Sequence, residues 1–463
     1  MPTMTIQRGM TVRRERRAWG VSALVVVNLS VLAYFLLKFS GHRIGFGPYR
    51  IDLDVYRIGS RVWLEGGNLY GPLPPTAAGV RLPFSYPPVA AVLLSPLSLL
   101  PMAAASTLLA LLSAGLTAIV LRVFLAAAWP PAGRTLGTAG WRTVGWLLPA
   151  ALVLEPVRNT INYGQVNVLL MALVAADCLV PDGRWPRGAL VGLAAAVKLT
   201  PAAFVLFFLL RRDYRAARTA ALSFCAAAAA GFALAWRDSV RYWTSVVFQS
   251  GRPGNPAYTA NQSIEAVLAR AGLAPHSPAG LGLWLAASAV VVLLACLGMR
   301  HALDRSRDGG DNGNRRQDAW ALSLNAFAAL LVSPISWSHH WVWGETAMLV
   351  LACLSLREQR PAWRRAGLSL AAAGTAAFAV SPQWWLPPAG LHWAWWEQLA
   401  GSSYVILAVT VLLAAAYVAR RRTPTAAEEP APVQLAQDGH GRGELVSDAR
   451  ASGWLGPDGP AVR

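Results

Sequence analysis

Apolar runs long enough to cross a bilayer as helices recur from residue 21 to about residue 420, separated by short polar stretches rich in arginine. The pattern predicts crossing helices near 21–39, 102–126, 143–157, 166–180, 219–236, 281–299, 319–333, 342–356, 366–381 and 402–419. The first run lacks a small-residue cleavage site and reads as a retained span. Two apolar stretches break the pattern. In "LPFSYPPVAAVLLSPLSLLP" the apolar part, 88–100, is too short to span and is expected to lie at the interface. The stretch 188–210 is long enough, but Lys198 sits inside it, Pro201 removes a helical hydrogen bond, and both flanks are basic. A broken, re-entrant pair of half-helices satisfies those flanks better than a simple span.

Basic clusters set the expected orientation. "RRERR" at 13–17 holds the N-terminus inside, and "RRDYRAAR" at 211–218, the segment 300–318, "REQRPAWRR" and "RRR" at 420–422 fall on the same side. The predicted organisation is a basic cytoplasmic N-terminus at 1–20 and a transmembrane domain at 21–420. That domain carries two large outer loops, 41–101 and 237–280. An Ala-, Pro- and Gly-rich tail at 421–463 is expected to be disordered and cytoplasmic. Every unusual polar group except Lys198 then faces outward.

Composition narrows the classes. With 55% hydrophobic and 14% charged residues, the 463-residue chain is no ordinary soluble globule. Its +18 formal charge lies in clusters between apolar runs, which fits membrane topology and not nucleic acid. Cys178, Cys225, Cys296 and Cys353 stand singly in apolar segments, without the spacing of a zinc or redox motif.

The polar groups suggest chemistry. Asp52 and Asp54 follow the first span; near an apolar surface, partial desolvation suits a carboxyl to general-base work. Pairing with Arg50, Arg57 or Arg61, or metal binding by the Asp-Leu-Asp spacing, are the alternatives. "SHH" places His339 and His340 side by side; adjacent histidines rarely ligate one ion together, but one can hydrogen-bond an anion. Lysine within an apolar run is expensive, so Lys198 either snorkels or meets an anion such as a lipid phosphate. "NQS" at 261–263 matches a glycosylation sequon that is common by chance. Trp384, Trp385, Trp393, Trp395 and Trp396 form either sugar-stacking faces or an interfacial girdle.

Six segments in order, "DLDVYRIGSRVWLEGGNLYG", "LPFSYPPVAAVLLSPLSLLP", "NYGQVNVLLMALVAAD", "GLAAAVKLTPAAFVLFFLLRRDYRAA", "NQSIEAVLAR" and "SPISWSHHW", resemble the actinobacterial polyprenol-phosphate-mannose-dependent α-mannosyltransferases of the GT-C class. The resemblance implies an all-α polytopic membrane fold of GT-C type with about 10–12 membrane helices and interfacial helices in a long first outer loop. It also implies a polyprenyl-phosphate mannose donor, an outward-facing site and one essential aspartate acting as base. The family pattern (Asp, apolar, any residue, Val, Tyr) puts that role on Asp52, four before Tyr56, and leaves Asp54 at the variable position. Donor phosphate and acceptor contacts are expected from Lys198, His339, His340, Asp54, Tyr56, Arg57, Tyr86, Gln165, Asn167, Asn261 and Gln262.

The expected reaction is mannose transfer, with inversion, to a mannosylated phospholipid such as a phosphatidylinositol mannoside. No metal and no other cofactor is expected, because the leaving lipid monophosphate can be held by one or two cationic or hydrogen-bonding groups. Transfer of another lipid-linked sugar, such as arabinofuranose, is the closest alternative. A secondary transporter would show a second helix break in the other half, which the sequence lacks.

Overall fold

The stretch from residue 51 to residue 101 folds into helices of its own before the long apolar helix Met102–Ala128. The computed structural model describes residues 25–31, 33–34, 43–44, 47–129, 138–181, 183–249, 251–252, 254–275, 277–308, 311–388 and 393–422. The expected N-terminal segment 1–20 and the tail beyond 422 lie outside the described residues; of the first predicted span, residues 25–31 and 33–34 are helical. Two-residue antiparallel strands pair Arg43–Ile44 with Gly47–Pro48. Almost everything else is helix, and the described bundle forms one compact unit ending at Arg421.

Helix Ile51–Leu64 alternates its faces, burying Leu53, Val55 and Tyr56, and packs on Pro88–Leu99. That second helix has 12 residues, about 18 Å at a helical rise, which is too short to cross. Among the described residues four helices are long and apolar enough to cross a membrane: Met102–Ala128, Tyr214–Leu234, Pro278–Arg307 and Ser403–Arg421. Shorter helices at Thr138–Val153, Asn167–Leu179, Trp343–Leu356 and Pro361–Val380, and the polar-ended Asp311–Val332, fill the remaining predicted positions. Aromatic contacts tie them together, among them Phe204 to Trp343 at 4.6 Å and Phe327 to Trp341 at 5.9 Å between ring centres.

The stretch 188–210 is broken where Lys198 and Pro201 predict. Helix Ala189–Val197 stops at Lys198, whose backbone is extended (φ −150°, ψ 128°), and a 3-10 turn at Thr200–Phe204 leads into Val205–Arg211. The two ends of the stretch meet: Arg187 Nε lies 3.8 Å from Asp213 Oδ2. The chain therefore goes in and returns as a hairpin, with Lys198 to Thr200 at its tip. Its first arm can lie on Tyr214–Leu234 because position 192 is glycine; a Cβ there would sit 2.2 Å from the Ala220 carbonyl oxygen.

Polar groups separate to two ends of the bundle. At one end Arg211 pairs with Asp318, Arg307 Nη2 donates to the Arg211 carbonyl (3.0 Å), Arg316 Nε donates to the Ala128 carbonyl (2.8 Å), and Arg357 lies over Trp129. Ser333, just past the far end of the helix Asp311–Val332, is about 22 Å from Asp318 at the helical rise per residue. Ser333 belongs to the other end, where the hairpin tip arrives.

Candidate active site

Helix Ile51–Leu64 begins without a side-chain cap; the buried Arg50 anchors it instead. Arg50 Nε donates to the Ser106 carbonyl at 3.3 Å, and its Nη1 donates to the Ile161 carbonyl. Asp52 thus has a fixed place in the first turn, where the helix N-terminus favours a negative charge. Its Oδ2 accepts a 2.7 Å hydrogen bond from Gln165 Nε2.

Gln165 reaches Asp52 because the helix Glu155–Tyr163 ends on Gly164, at φ +75°. A Cβ at position 164 would lie 2.7 Å from Leu53 Cβ, so both conformation and space require glycine. The amide is also oriented. Gln165 Oε1 accepts from Tyr56 OH (2.7 Å) and Tyr86 OH (3.0 Å), which leaves its NH₂ to face the carboxyl. Burial raises the Asp52 pKa from 3.8 to about 6, against the opposing effects of the Gln165 hydrogen bond and the Lys198 charge. A carboxyl in that range is basic enough to take a proton near neutral pH and is still ionised there.

Across from it, Lys198 Nζ donates to Asn167 Oδ1 at 3.0 Å and stands 3.2 Å from His340 Nε2. An ammonium only donates, so His340 Nε2 accepts and its ring proton sits on Nδ1. Burial, then the charge of Lys198 and the neighbouring His339, hold His340 well below its ordinary pKa. Asn167 is held in turn, its Nδ2 donating to the His339 carbonyl at 2.9 Å.

These groups line one cavity of about 350 Å³: Asp52, Tyr56, Tyr86 and Gln165 on one wall, Lys198 and His340 on another. Beside it lies an apolar cleft of about 50 Å³, walled by Leu170, Met171, Val174, Phe204 and Leu330. The two share Lys198, Thr200, Ser333 and His340.

Other expected site residues stand elsewhere. Asp54, two residues from Asp52, turns away and accepts from Tyr49 OH (3.1 Å) and the Ala77 amide (2.8 Å). Arg57 holds the Pro88–Leu99 helix by donating to the Leu97 carbonyl at 3.1 Å. Asn261 and Gln262 are fully buried and bond backbone groups; Asn261 bridges the strand-like backbone at Trp337, and Gln262 Nε2 donates to the Gly401 carbonyl. The His339 ring packs on Tyr163 and His340, and burial, then the Lys198 charge, bring its pKa to about 3. Of the five tryptophans, Trp384 and Trp393 are engaged inside the fold, whereas Trp385 and Trp395 are exposed. Tyr242, Gln249, Arg252 and Trp337 line the cavity without having been singled out by the sequence. Arg252 spends two donors on the Phe84 and Tyr70 carbonyls, and an arginine in a long polar loop carries no local pattern that predicts it. Among the described residues no group of three or more His, Cys, Asp or Glu could hold a metal ion.

An oriented, desolvated carboxyl facing a lysine, in a cavity at one end of the helix bundle, is a candidate site for chemistry that moves a proton beside an anion. Residues 84–334 match Glycosyltransferase family 87, and the chain belongs to that family. It is a glycosyltransferase, which removes the transporter reading. The chain is similar to the polyprenol-phosphate-mannose-dependent alpha-(1-2)-phosphatidylinositol mannoside mannosyltransferase of Mycolicibacterium smegmatis, at 41% identity over 90% of this chain and 95% of that protein. The protein of the same name from Mycobacterium tuberculosis is 42% identical over 85% of this chain and 90% of its own length. A Mycobacterium tuberculosis pentamannoside mannosyltransferase is 35% identical over 76% of each chain. No solved structure matches the chain. The order of motifs from "DLDVYRIGSRVW" to "SPISWSHHW" thus identified the family correctly.

Proposed function

We propose that the protein transfers mannose from polyprenyl-phosphate mannose to a mannosylated phosphatidylinositol, with Asp52 as general base and without a metal. The observation that carries this reading is the single cavity in which Asp52, oriented by Gln165, faces Lys198 and His340 beside an apolar cleft. Asp52 takes the proton of an acceptor hydroxyl as that oxygen attacks the anomeric carbon. The bond from that carbon to the phosphate oxygen breaks on the opposite face, its electron pair leaves with the lipid phosphate, and the anomeric centre inverts. Lys198 meets the charge that develops on the phosphate, while His340 donates from Nδ1 or shifts to follow it. The apolar cleft suits the first isoprene units of the donor, because it begins at the lysine that would hold the phosphate. The activity for which the relatives are named supports both the mannose donor and the phosphatidylinositol mannoside acceptor.

The site faces the outside of the cell. The separation of a basic end from the cavity end supports this, since clustered arginines mark the cytoplasmic side. Gln249, exposed at the cavity rim, provides the check. A cysteine placed there should react with a membrane-impermeant thiol reagent added to intact cells; labelling only after lysis would refute the orientation. For the reaction, full-length protein in membranes is given labelled polyprenyl-phosphate mannose and a phosphatidylinositol mannoside. Transfer that persists in chelator supports the reading. Transfer only from an arabinofuranosyl donor, or loss in chelator that added metal restores, contradicts it.

A further inference from the structure

Glu155 is a fully buried carboxyl that does not line the cavity, yet it takes hydrogen bonds from three remote parts of the chain. Ser338 Oγ (2.6 Å) and Trp384 Nε1 (2.9 Å) donate to its Oε1, and Tyr404 OH (2.9 Å) donates to its Oε2. Asn159, one turn on, donates to Oε1 as well at 2.7 Å. Burying a carboxyl is costly unless every partner is in place, and a fully connected buried network holds one geometry firmly.

That geometry is the turn Ser338–His340. Glu155 grips its first side chain, and five residues along the same helix Thr160 Oγ1 donates to the His339 carbonyl at 2.7 Å. The last residue of the turn, His340, then projects into the cavity against Lys198. The other end of the helix serves the opposite wall: Ile161 receives Arg50, and Gly164 delivers Gln165 to Asp52. One nine-residue helix therefore bonds chain neighbours of both the base and the group across from it.

We propose that Glu155 is a positioning residue that acts through Ser338 to set His340, so that the helix Glu155–Tyr163 fixes the spacing between base and leaving-group side. This rests on the site reading above. The test is a double-mutant cycle on the full-length protein, with kcat and donor KM measured per folded molecule. Glu155→Ala should lower kcat by about 10-fold to 100-fold, less than the roughly 10²-fold to 10³-fold cost of losing a direct transition-state donor, and leave donor KM within a few-fold. Combined with His340→Ala it should be hardly slower than His340→Ala alone. Glu155→Gln should recover most of the rate, because an amide oxygen still accepts from Ser338 and Trp384 while its NH₂ donates to Tyr404. If Glu155→Ala does not fold, Ser338→Ala removes the same link with one hydrogen bond and takes its place in the cycle. Multiplying effects of the two substitutions, or a normal kcat in the folded Glu155→Ala or Ser338→Ala variant, overturns the inference and leaves the site reading intact. Wild-type turnover by His340→Ala overturns both.

Discussion

The two polar ends of the bundle use charge in opposite ways. At the basic end, carboxylates pair with arginines: Asp318 with Arg211, Asp304 with Arg307, Asp213 with Arg187 and Glu358 with Arg360. At the cavity end, Asp52 and Lys198 share a cavity with no opposite charge within ion-pair distance among the described residues, and each leans on a neutral amide, Gln165 or Asn167. An amide orients an ionised group without neutralising it, so the base stays free for a proton and the lysine stays free for an anion. The basic end uses its charges to hold helices together; the cavity end orients its two charges with amides.

Removing one member of each set should expose the difference. Asp52→Asn is expected to lower the transfer rate by about 10²-fold to 10⁴-fold, the usual worth of a general base. Because burial raises the Asp52 pKa to about 6, its ionisation costs stability: the proton stabilises the fold at low pH, and that contribution is lost as pH rises through about 6. Asp52→Asn should therefore raise the melting temperature at pH 8 while abolishing turnover, and a lower melting temperature at that pH would argue that the carboxyl is structural. Lys198→Met should slow transfer by about 10²-fold, in the range of a lost charge stabiliser, measured with saturating acceptor. Asp54→Asn, which only weakens the bonds to Tyr49 and Ala77, should keep transfer within a few-fold and cost about 1 kcal/mol of stability. Asp304→Asn, breaking an exposed pair at the basic end, should leave transfer unchanged; a large loss there would erase the contrast between the ends.

Much of this was legible in the chain. Apolar run length gave the helices, and the conflict between basic flanks and span length at 188–210 gave the hairpin, because Lys198 and Pro201 are costly anywhere but at a break. The choice of Asp52 over Asp54 came from the family resemblance; periodicity alone cannot rank two acids that lie about 200° apart on one helix. What the sequence hid are contacts made across distance. Asn261 and Gln262 look like substrate ligands, but Asn261 is spent on backbone groups of the loop at 334–338 and Gln262 on the Thr259 and Gly401 carbonyls. His339 and His340 look equivalent, and only the 3-10 turn that carries them sends one ring into the cavity and the other against Tyr163. Arg252 and Glu155 carry no local signal, since their partners lie more than 150 residues away.

The most direct test of an unpaired Asp52 facing Lys198 is the pH profile of kcat/KM for wild type and Lys198→Met. Wild type should lose activity as pH falls through about 6, where Asp52 gains its proton. The lysine's charge lowers that pKa, so its removal should move the break upward. A break at the same pH in both proteins, or none near 6 in wild type, would contradict the account.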